Sequence, residues 1–262
     1  MKLCRFKHES SDALSYGVIE GDAVRAVPTG GMWSEVFGER SWNHDSKELP
    51  LAEVKLIAPV APSKIVCVGR NYKEHAAELG NAMPTEPLLF LKAPSSIIGH
   101  DDVIELPPES KQVEHEGELG VVIGRKARKL RPDDDPLHYV LGYTCLNDVT
   151  ARDLQRKDVQ FTRGKSFDTF CPVGPFIETD ISPVDLEVVT RVNGETKQRG
   201  RTSQMAFPVN MLIRYISHIM TLYPGDLIAT GTPAGVSQLQ DGDTVEVEVE
   251  GIGMLRNKVR RV

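Results

Sequence analysis

The chain has 262 residues, of which 40% are hydrophobic and 26% charged, and its formal net charge is −6 at pH 7. This composition is typical of a folded globular protein and excludes wholesale disorder. The mildly negative charge argues against a nucleic-acid partner, and no apolar run approaches the roughly 20 residues of a membrane span. Four cysteines without a Cys-x-x-Cys pair, and an N-terminus without an apolar signal segment, predict a cytoplasmic protein.

Short strands are predicted at the start of the chain, at residues 3–6, 14–19 and 23–27, because polar or Gly-Asp turns separate apolar runs there. Residues 32–55 favour a short helix followed by a loop, and a proline-rich stretch comes next. We therefore place a boundary near residue 55. It separates a small N-terminal α+β module, residues 1–55, from a larger domain, residues 56–262.

The larger domain has many predicted strands and few helices. Strands are expected at 64–69, 88–92, 118–124 and 139–145, and the alternating tail predicts a hairpin over 244–255. A short helix is expected over 72–79 with Asn71 as its N-cap. A longer one is expected over 209–222, where apolar residues recur every three or four positions. This balance favours a β-rich α+β fold, a barrel or sandwich, over a doubly wound sheet.

Three acidic residues are candidates for a metal site. Glu116 and Glu118 enter an apolar strand two residues apart, so both side chains project from one face of it. Asp148 follows the next predicted strand. Two carboxylates on one face repel each other unless a cation lies between them or one is protonated. Three carboxylates suit Mg²⁺, Mn²⁺ or Ca²⁺ better than a structural zinc ion. Surface acids on an edge strand are the alternative interpretation of the spacing.

Two further segments carry candidate catalytic groups. His75 and Glu78 lie three residues apart on the predicted short helix and so share a face, as expected of a general base oriented by a carboxylate. An exposed helix with an incidental pair is the alternative. Lys165 follows a glycine and could reach into a pocket, or lie in solvent on a loop. The glycine-rich segment 230–236 could offer backbone N–H groups to a carboxylate, or form a plain turn.

Six segments, in this order, resemble the fumarylacetoacetate hydrolase family over about residues 58–262. They are GRNYKEH (69–75), FLK (90–92), HEGELGVVIG (115–124), NDVTARD (147–153), GKSFD (164–168) and TGTPAGV (230–236). Each segment alone is a weak signal, whereas the ordered set is specific. The resemblance implies a mixed β-sheet roll or barrel-like fold and a homodimer.

The same resemblance implies an enzyme that binds Mg²⁺ or Mn²⁺, with Ca²⁺ as an alternative occupant in crystals. The metal ligands would be Glu116, Glu118 and Asp148. The substrate would be a small 2-oxo or β-diketo acid. Members of the family hydrolyse acylpyruvates, decarboxylate oxaloacetate-like acids or isomerise dienedioates.

The remaining implied roles concern catalysis and substrate binding. His75 and Glu78 would lie on a lid helix, and Lys165 would contact the substrate. Three further residues match positions that bind the substrate in such members: Arg152, Gln155 and Thr232. The His–Glu pair favours hydrolysis or base-assisted decarboxylation over isomerisation. A metal-dependent dicarboxylate-binding protein without turnover is the alternative from another class. The short N-terminal module argues against fumarylacetoacetate itself as the substrate.

Overall fold

The computed structural model describes residues 1–8, 11–27 and 48–262. Strands predominate among these residues, and the few α-helices are short. The strands are β1 (Lys2–His8), β2 (Ser11–Glu20), β3 (Ala23–Val27), β4 (Glu48–Pro50), β5 (Val54–Ile57), β6 (Ile65–Gly69), β7 (Leu88–Lys92), β8 (Ile97–Ile98), β9 (Val103–Leu106), β10 (Val113–Glu114), β11 (Gly117–Ile123), β12 (Val140–Asn147), β13 (Thr150–Ala151), β14 (Cys171–Glu178), β15 (Glu187–Val192), β16 (Glu195–Arg201), β17 (Leu227–Ala229), β18 (Thr244–Val249) and β19 (Gly253–Arg261). The α-helices are α1 (Lys73–Glu78), α2 (Arg152–Asp158), α3 (Thr162–Lys165) and α4 (Val209–Ile219).

Most strands belong to two sheets. The larger sheet has 12 strands in the main order β4-β3-β2-β1-β14-β12-β11-β17-β6-β7, with β5 paired to β1 and β8 to β14. It is mixed, because β6 pairs parallel with β17 and antiparallel with β7. The second sheet has five strands in the order β16-β15-β18-β19-β9, and β10 pairs with β13 separately. This arrangement confirms the β-rich fold with mixed sheets.

The main core lies between the two sheets. Leu119 and Val121 of β11 pack in one buried cluster with Val188 of β15 and Val247 of β18. The alternation predicted for the tail is confirmed, because every second residue of β18 is buried against this core or the adjacent one. Burial of these apolar side chains is the main favourable contribution to the stability of such a fold.

Helix α4 covers one side of the main core, but it is shorter than the sequence predicts. Its buried residues include Leu212, Ile213 and Ile216, whereas Ile219 is 57% exposed. The backbone becomes extended at Met220. Two residues later, Leu222 forms two backbone hydrogen bonds with Ala127, one in each direction. This distant pairing ends the helix three residues before the predicted end at residue 222.

The N-terminal strands β1, β2 and β3 lie where the sequence predicts them. The helix expected after residue 32 falls largely on residues 32–47, which lie outside the described residues. The loop expected up to residue 55 was wrong for residues 48–50 and 54–55, because β4 pairs with β3 and β5 pairs with β1. Such pairing depends on partners distant in sequence, so local composition does not reveal it. The boundary near residue 55 stays a prediction, and β5 spans it.

Four strand ends meet at one edge of the larger sheet. Strand β11 begins there at Gly117, and β12, antiparallel to it, ends there with Gly117 opposite Asn147. Strand β17 is antiparallel to β11 and ends at the same edge, as does β6, which is parallel to β17. The loops that follow β6, β12 and β17 therefore converge near residues 116–118. Within the described part of the chain, no helix combines the length and apolarity needed to cross a membrane.

Candidate active site

A cavity of about 290 Å³ opens at this edge of the larger sheet. Eight of the nine site residues predicted from the sequence line it: His75, Glu116, Glu118, Asp148, Arg152, Gln155, Lys165 and Thr232. The ninth, Glu78, reaches it through His75, to which it is hydrogen-bonded. The predicted residues that line this cavity lie up to 157 positions apart in the sequence, from His75 to Thr232.

Three buried carboxylates form the floor of the cavity, and we call Glu116, Glu118 and Asp148 the carboxylate cluster. One oxygen from each lies within 4.8 Å of the others. The two-residue spacing places Glu116 and Glu118 on the same side, as expected, while Leu119 and Val121 enter the core. Pairing of β11 with β12 brings Asp148 beside them, and its N–H donates to the carbonyl of Glu116 at 2.8 Å.

Buried cations hold two members of the carboxylate cluster. The Lys165 ammonium lies 2.8 Å from Glu116 and 2.7 Å from Asp148. Lys92 lies 2.6 Å from the other oxygen of Asp148, and Arg152 pairs with the other oxygen of Glu116. Burial by itself would raise the pKa of Glu116, but the charges of Lys165 and Arg152 bring that pKa well below its usual range.

Glu118 differs from the other two carboxylates, because it forms no ion pair with any described residue. Its polar contact is the backbone N–H of Gly231, which donates to it at 2.8 Å. Burial, and then the charges of Asp148 and Glu116, raise the pKa of Glu118 well above its usual range. A divalent cation among the three oxygens would remove this repulsion, so the residues present fit a hard, oxygen-binding metal ion.

Gly231 requires glycine on two counts. Its φ is +99°, in the region that other residues rarely adopt, and a Cβ there would lie 2.7 Å from the side chain of Asn71. The close approach lets the backbone N–H of the glycine-rich loop reach Glu118. The predicted contact of this loop with a carboxylate is therefore present, and the carboxylate belongs to the protein itself.

His75 is only 5% exposed and lines the cavity. Its Nδ1 lies 2.7 Å from Glu78, and the second oxygen of Glu78 accepts a hydrogen bond from the N–H of Gly235 at 2.9 Å. With Nδ1 donating to the carboxylate, Nε2 is left as the proton acceptor of the ring. The arrangement can serve as an oriented general base.

The prediction that Asn71 caps helix α1 was wrong. Tyr72 occupies the N-cap position, and no side chain caps the helix. The buried Asn71 amide instead donates to the carbonyls of Phe207 and Thr230 and accepts from the N–H of Phe207. These buried backbone groups would otherwise lack partners, so Asn71 ties the start of α1 to the glycine-rich loop and to the segment before α4.

Lys165 ends the short helix α3 and is 2% exposed, so it is not a solvated loop lysine. Burial lowers the pKa of Lys165, but the charges of Asp148 and Glu116 outweigh this effect and raise it. Lys92 had no predicted role, although the structure buries it against Asp148. A single charge at the end of the apolar run 88–92 was the signal available.

Arg152 and Gln155, expected to meet the substrate, also bind each other. The guanidinium of Arg152 donates to Glu114 at 2.8 Å, to Gln155 Oε1 at 2.7 Å and to Glu116. All three of its nitrogens are therefore used within the protein. This contact leaves the amide NH₂ of Gln155 as its group for a ligand. Glu114 was not among the residues singled out in the sequence.

Thr232 lies behind the carboxylate cluster as well as in the cavity wall. Its hydroxyl donates to the carbonyl of Gly117 at 2.8 Å and accepts from the Gln198 amide at 2.7 Å. Gln198, fully buried and also missed by the sequence analysis, accepts from the N–H of Gly117 and contacts His115. Gln198 thus links β16 of the second sheet to Gly117, the residue between Glu116 and Glu118.

Family models and known proteins match most of this chain. A model of the fumarylacetoacetate (FAA) hydrolase C-terminal domain matches residues 64–260, and one of the Rv2993c-like N-terminal domain matches residues 1–59. An uncharacterised protein of Archaeoglobus fulgidus is 54% identical over 218 residues, 83% of this chain and 87% of that protein.

Two further matches have named activities. Human mitochondrial oxaloacetate tautomerase FAHD2A is 46% identical over 224 residues, 80% of this chain and 71% of that protein. The crystal structure of 2-hydroxyhepta-2,4-diene-1,7-dioate isomerase from Mycobacterium marinum matches with a TM-score of 0.88 and 43% identity, covering 100% of this chain and 98% of that one. The chain belongs to the fumarylacetoacetate hydrolase family of enzymes.

Proposed function

We propose that this chain is a divalent-metal-dependent enzyme that acts on a small 2-oxo acid by moving a proton at the carbon next to the 2-oxo group. The observation that carries the proposal is the juxtaposition, in one cavity, of the carboxylate cluster and a histidine oriented by Glu78. The similarity to a tautomerase and to a dienedioate isomerase supports proton transfer as the reaction.

Glu116, Glu118 and Asp148 would hold the metal ion. When bound, a divalent cation supplies Lewis-acid stabilisation of negative charge on the substrate's carboxylate and 2-oxo oxygens. Lys165 pairs with Glu116 and Asp148, Lys92 pairs with Asp148, and these contacts fix the two carboxylates in place. The buried setting strengthens these interactions, because little water screens them.

His75 would carry the proton. Nε2 faces the substrate carbon, accepts its proton, and returns it to the oxygen or to a more distant carbon of the conjugated system. The atoms balance without any other reactant, since the product is an isomer of the substrate. Glu78 stabilises the charge that the ring gains and holds its orientation through Nδ1. The Gly235 N–H holds Glu78 in turn.

Hydrolysis of a C–C bond in an acylpyruvate is the second candidate. The observation that favours it is the same His75–Glu78 pair, because an oriented base can deprotonate a water molecule that attacks the distal carbonyl. Decarboxylation of an oxaloacetate-like acid needs no attacking water, and we expect it to depend less on His75. These reactions share the binding of the 2-oxo acid and differ in what the base does.

Three assays with the purified chain distinguish the candidates: keto–enol exchange of oxaloacetate followed by ultraviolet absorbance, cleavage of an acylpyruvate, and isomerisation of a 2-hydroxy-dienedioate. Each is run with Mg²⁺ and with excess chelator. We expect metal-dependent proton transfer to show the greatest acceleration over the uncatalysed rate. Faster cleavage would favour hydrolysis. Full activity with chelator would exclude the metal, and inactivity in every assay would leave a binding protein.

A further inference from the structure

Arg70 is a cation of the cavity wall that no other part of the site uses. Its half-buried side chain lines the cavity together with His75 and the carboxylate cluster. It forms neither an ion pair nor a side-chain hydrogen bond with any described residue. The guanidinium of Arg70 is therefore available to a ligand, and its planar fork matches a carboxylate.

The other buried cations of the site are already engaged. Lys165 contacts two carboxylates, Lys92 contacts Asp148 and the carbonyl of Val149, and Arg152 uses all its nitrogens on Glu114, Glu116 and Gln155. A second anionic group on the substrate would have to displace one of these buried ion pairs, which is costly, or use a cavity arginine without an ion pair among the described residues. Of these, Arg70 is half-buried and Arg156 is exposed.

The net charge of the site also indicates that a second anionic group of the substrate needs a further cation. The ionisable groups in contact there are the carboxyl groups of Glu114, Glu116, Glu118 and Asp148 and the side chains of Lys92, Lys165 and Arg152. With all four carboxylates ionised, one negative charge remains, and a bound divalent ion turns this into one positive charge. The carboxylate beside the substrate's 2-oxo group would neutralise it. A second substrate carboxylate would then need a further cation, and Arg70 supplies one.

The backbone presents Arg70 in a fixed position. Its φ is +57°, in the left-handed region that residues other than glycine, asparagine and aspartate seldom occupy. The next residue, Asn71, is anchored by three side-chain hydrogen bonds, and its carbonyl accepts from the N–H of Ala206. Backbone strain of this kind persists where the surroundings enforce it, and it recurs at ligand-binding sites.

We propose that Arg70 binds the distal carboxylate of the substrate, so that the site selects 2-oxo dicarboxylic acids over 2-oxo monocarboxylic acids. The proposal rests on the proposed function for the binding mode of the 2-oxo end. A bidentate guanidinium–carboxylate contact adds both attraction and geometric selectivity. Arg70 is thus a specificity-determining residue, and it does not take part in proton transfer.

Matched acids test this proposal without turnover. Calorimetry in saturating Mg²⁺ compares 2-oxo acids of four to seven carbons, each with and without a terminal carboxylate, such as 2-oxoglutarate and 2-oxovalerate. For at least one chain length we expect the wild-type protein to bind the diacid about 10- to 100-fold more tightly. Arg70→Gln should lose that preference, and Arg70→Lys should keep part of it. Neither substitution should change the affinity for Mg²⁺ or for the monoacids.

Arg156 provides the matched control, because it lines the same cavity but is exposed, and its side-chain contact is a long one of 3.5 Å to Gln112. We expect Arg156→Gln to retain the preference for diacids. Loss of the preference in Arg156→Gln but not in Arg70→Gln would overturn the assignment, as would the absence of a preference in the wild-type protein. An inactive protein that still selects diacids through Arg70 would contradict the proposed reaction alone.

Discussion

The two sides of the cavity are built in different ways. The carboxylate cluster stands on β11 and on the end of β12, paired strands in the interior of the larger sheet, and buried lysine and arginine side chains hold it. His75 stands on α1, a helix of six residues, and isolated helices of that length are unstable in water. Its position depends on Asn71 at one end and on the contact between Glu78 and Gly235 at the other.

This difference separates the proposed metal site from the proposed base. The sheet preorganises the oxygens that would bind the metal, so that their positions do not depend on α1. His75, the proposed base, stands on a helix that a few hydrogen bonds hold in place, and a small element held in this way can move between bound states. The expectation that α1 acts as a lid stays a prediction. The two sides should therefore respond independently to substitution.

The largest effect is expected on the carboxylate side. Glu118→Gln replaces the one carboxylate of the cluster that has no cationic partner among the described residues with a neutral amide. Because a hard divalent ion prefers charged oxygen ligands, we expect Mg²⁺ affinity to fall by at least about 10- to 100-fold and activity to be lost. Isothermal titration with Mg²⁺ and the keto–enol assay measure the two effects.

A matched control for this substitution is Glu109→Gln, which removes one exposed carboxylate outside the cavity. We expect Mg²⁺ affinity and activity to stay at the wild-type level in this variant. Wild-type Mg²⁺ affinity in Glu118→Gln would show that the cluster does not bind the metal. Equal losses in the two variants would indicate an effect of overall charge.

The next largest effect is expected on the α1 side. His75→Ala removes the proposed base but none of the three carboxylates, so kcat for proton transfer should fall by about 10² to 10⁴ while Mg²⁺ affinity is retained. The kinetic assay and the titration are run on the same preparation. His138→Ala, an exposed histidine outside the cavity, is the control. Equal kcat values in His75→Ala and the wild-type protein would exclude His75 as the base.

The carboxylate side was also the more predictable from the sequence. The two-residue spacing of Glu116 and Glu118 in an apolar strand fixes their common face, because side chains alternate along a strand. Asp148 completes the carboxylate cluster through the pairing of β11 with β12. His75 and Glu78 were predictable for the same local reason, since residues three apart share a helix face.

Contacts between distant segments were not predictable in this way. Gln198 lies in β16 and reaches Gly117 and Thr232 through the pairing of the second sheet, for which the sequence gives no local signal. Asn71 looked like a helix cap because capping is the commonest local use of asparagine in that position. The buried carbonyls of Phe207 and Thr230 lie within its reach only in the folded chain, and they decide its role.

The smallest of these effects is expected from Glu78→Gln. The amide keeps an oxygen that can accept from His75 Nδ1, but its NH₂ group cannot accept the hydrogen bond that Gly235 now donates. The substitution also removes the negative charge that stabilises the protonated ring. Because the base itself remains, we expect kcat to fall by about 10-fold, at the low end of the range for groups that orient a reacting residue.

Glu74→Gln on the same helix controls for this change, since Glu74 is exposed and its side chain does not line the cavity. We expect it to behave as the wild-type protein, and we expect both variants to bind Mg²⁺ normally. The fall in kcat of Glu78→Gln then measures how strongly the position of His75 on the α1 side depends on Glu78. If Glu78→Gln were as inactive as His75→Ala, the negative charge of Glu78 or its hydrogen bond to Gly235 would be essential to the function of His75. If it matched the wild-type protein, His75 would be positioned by the helix backbone and Asn71 alone.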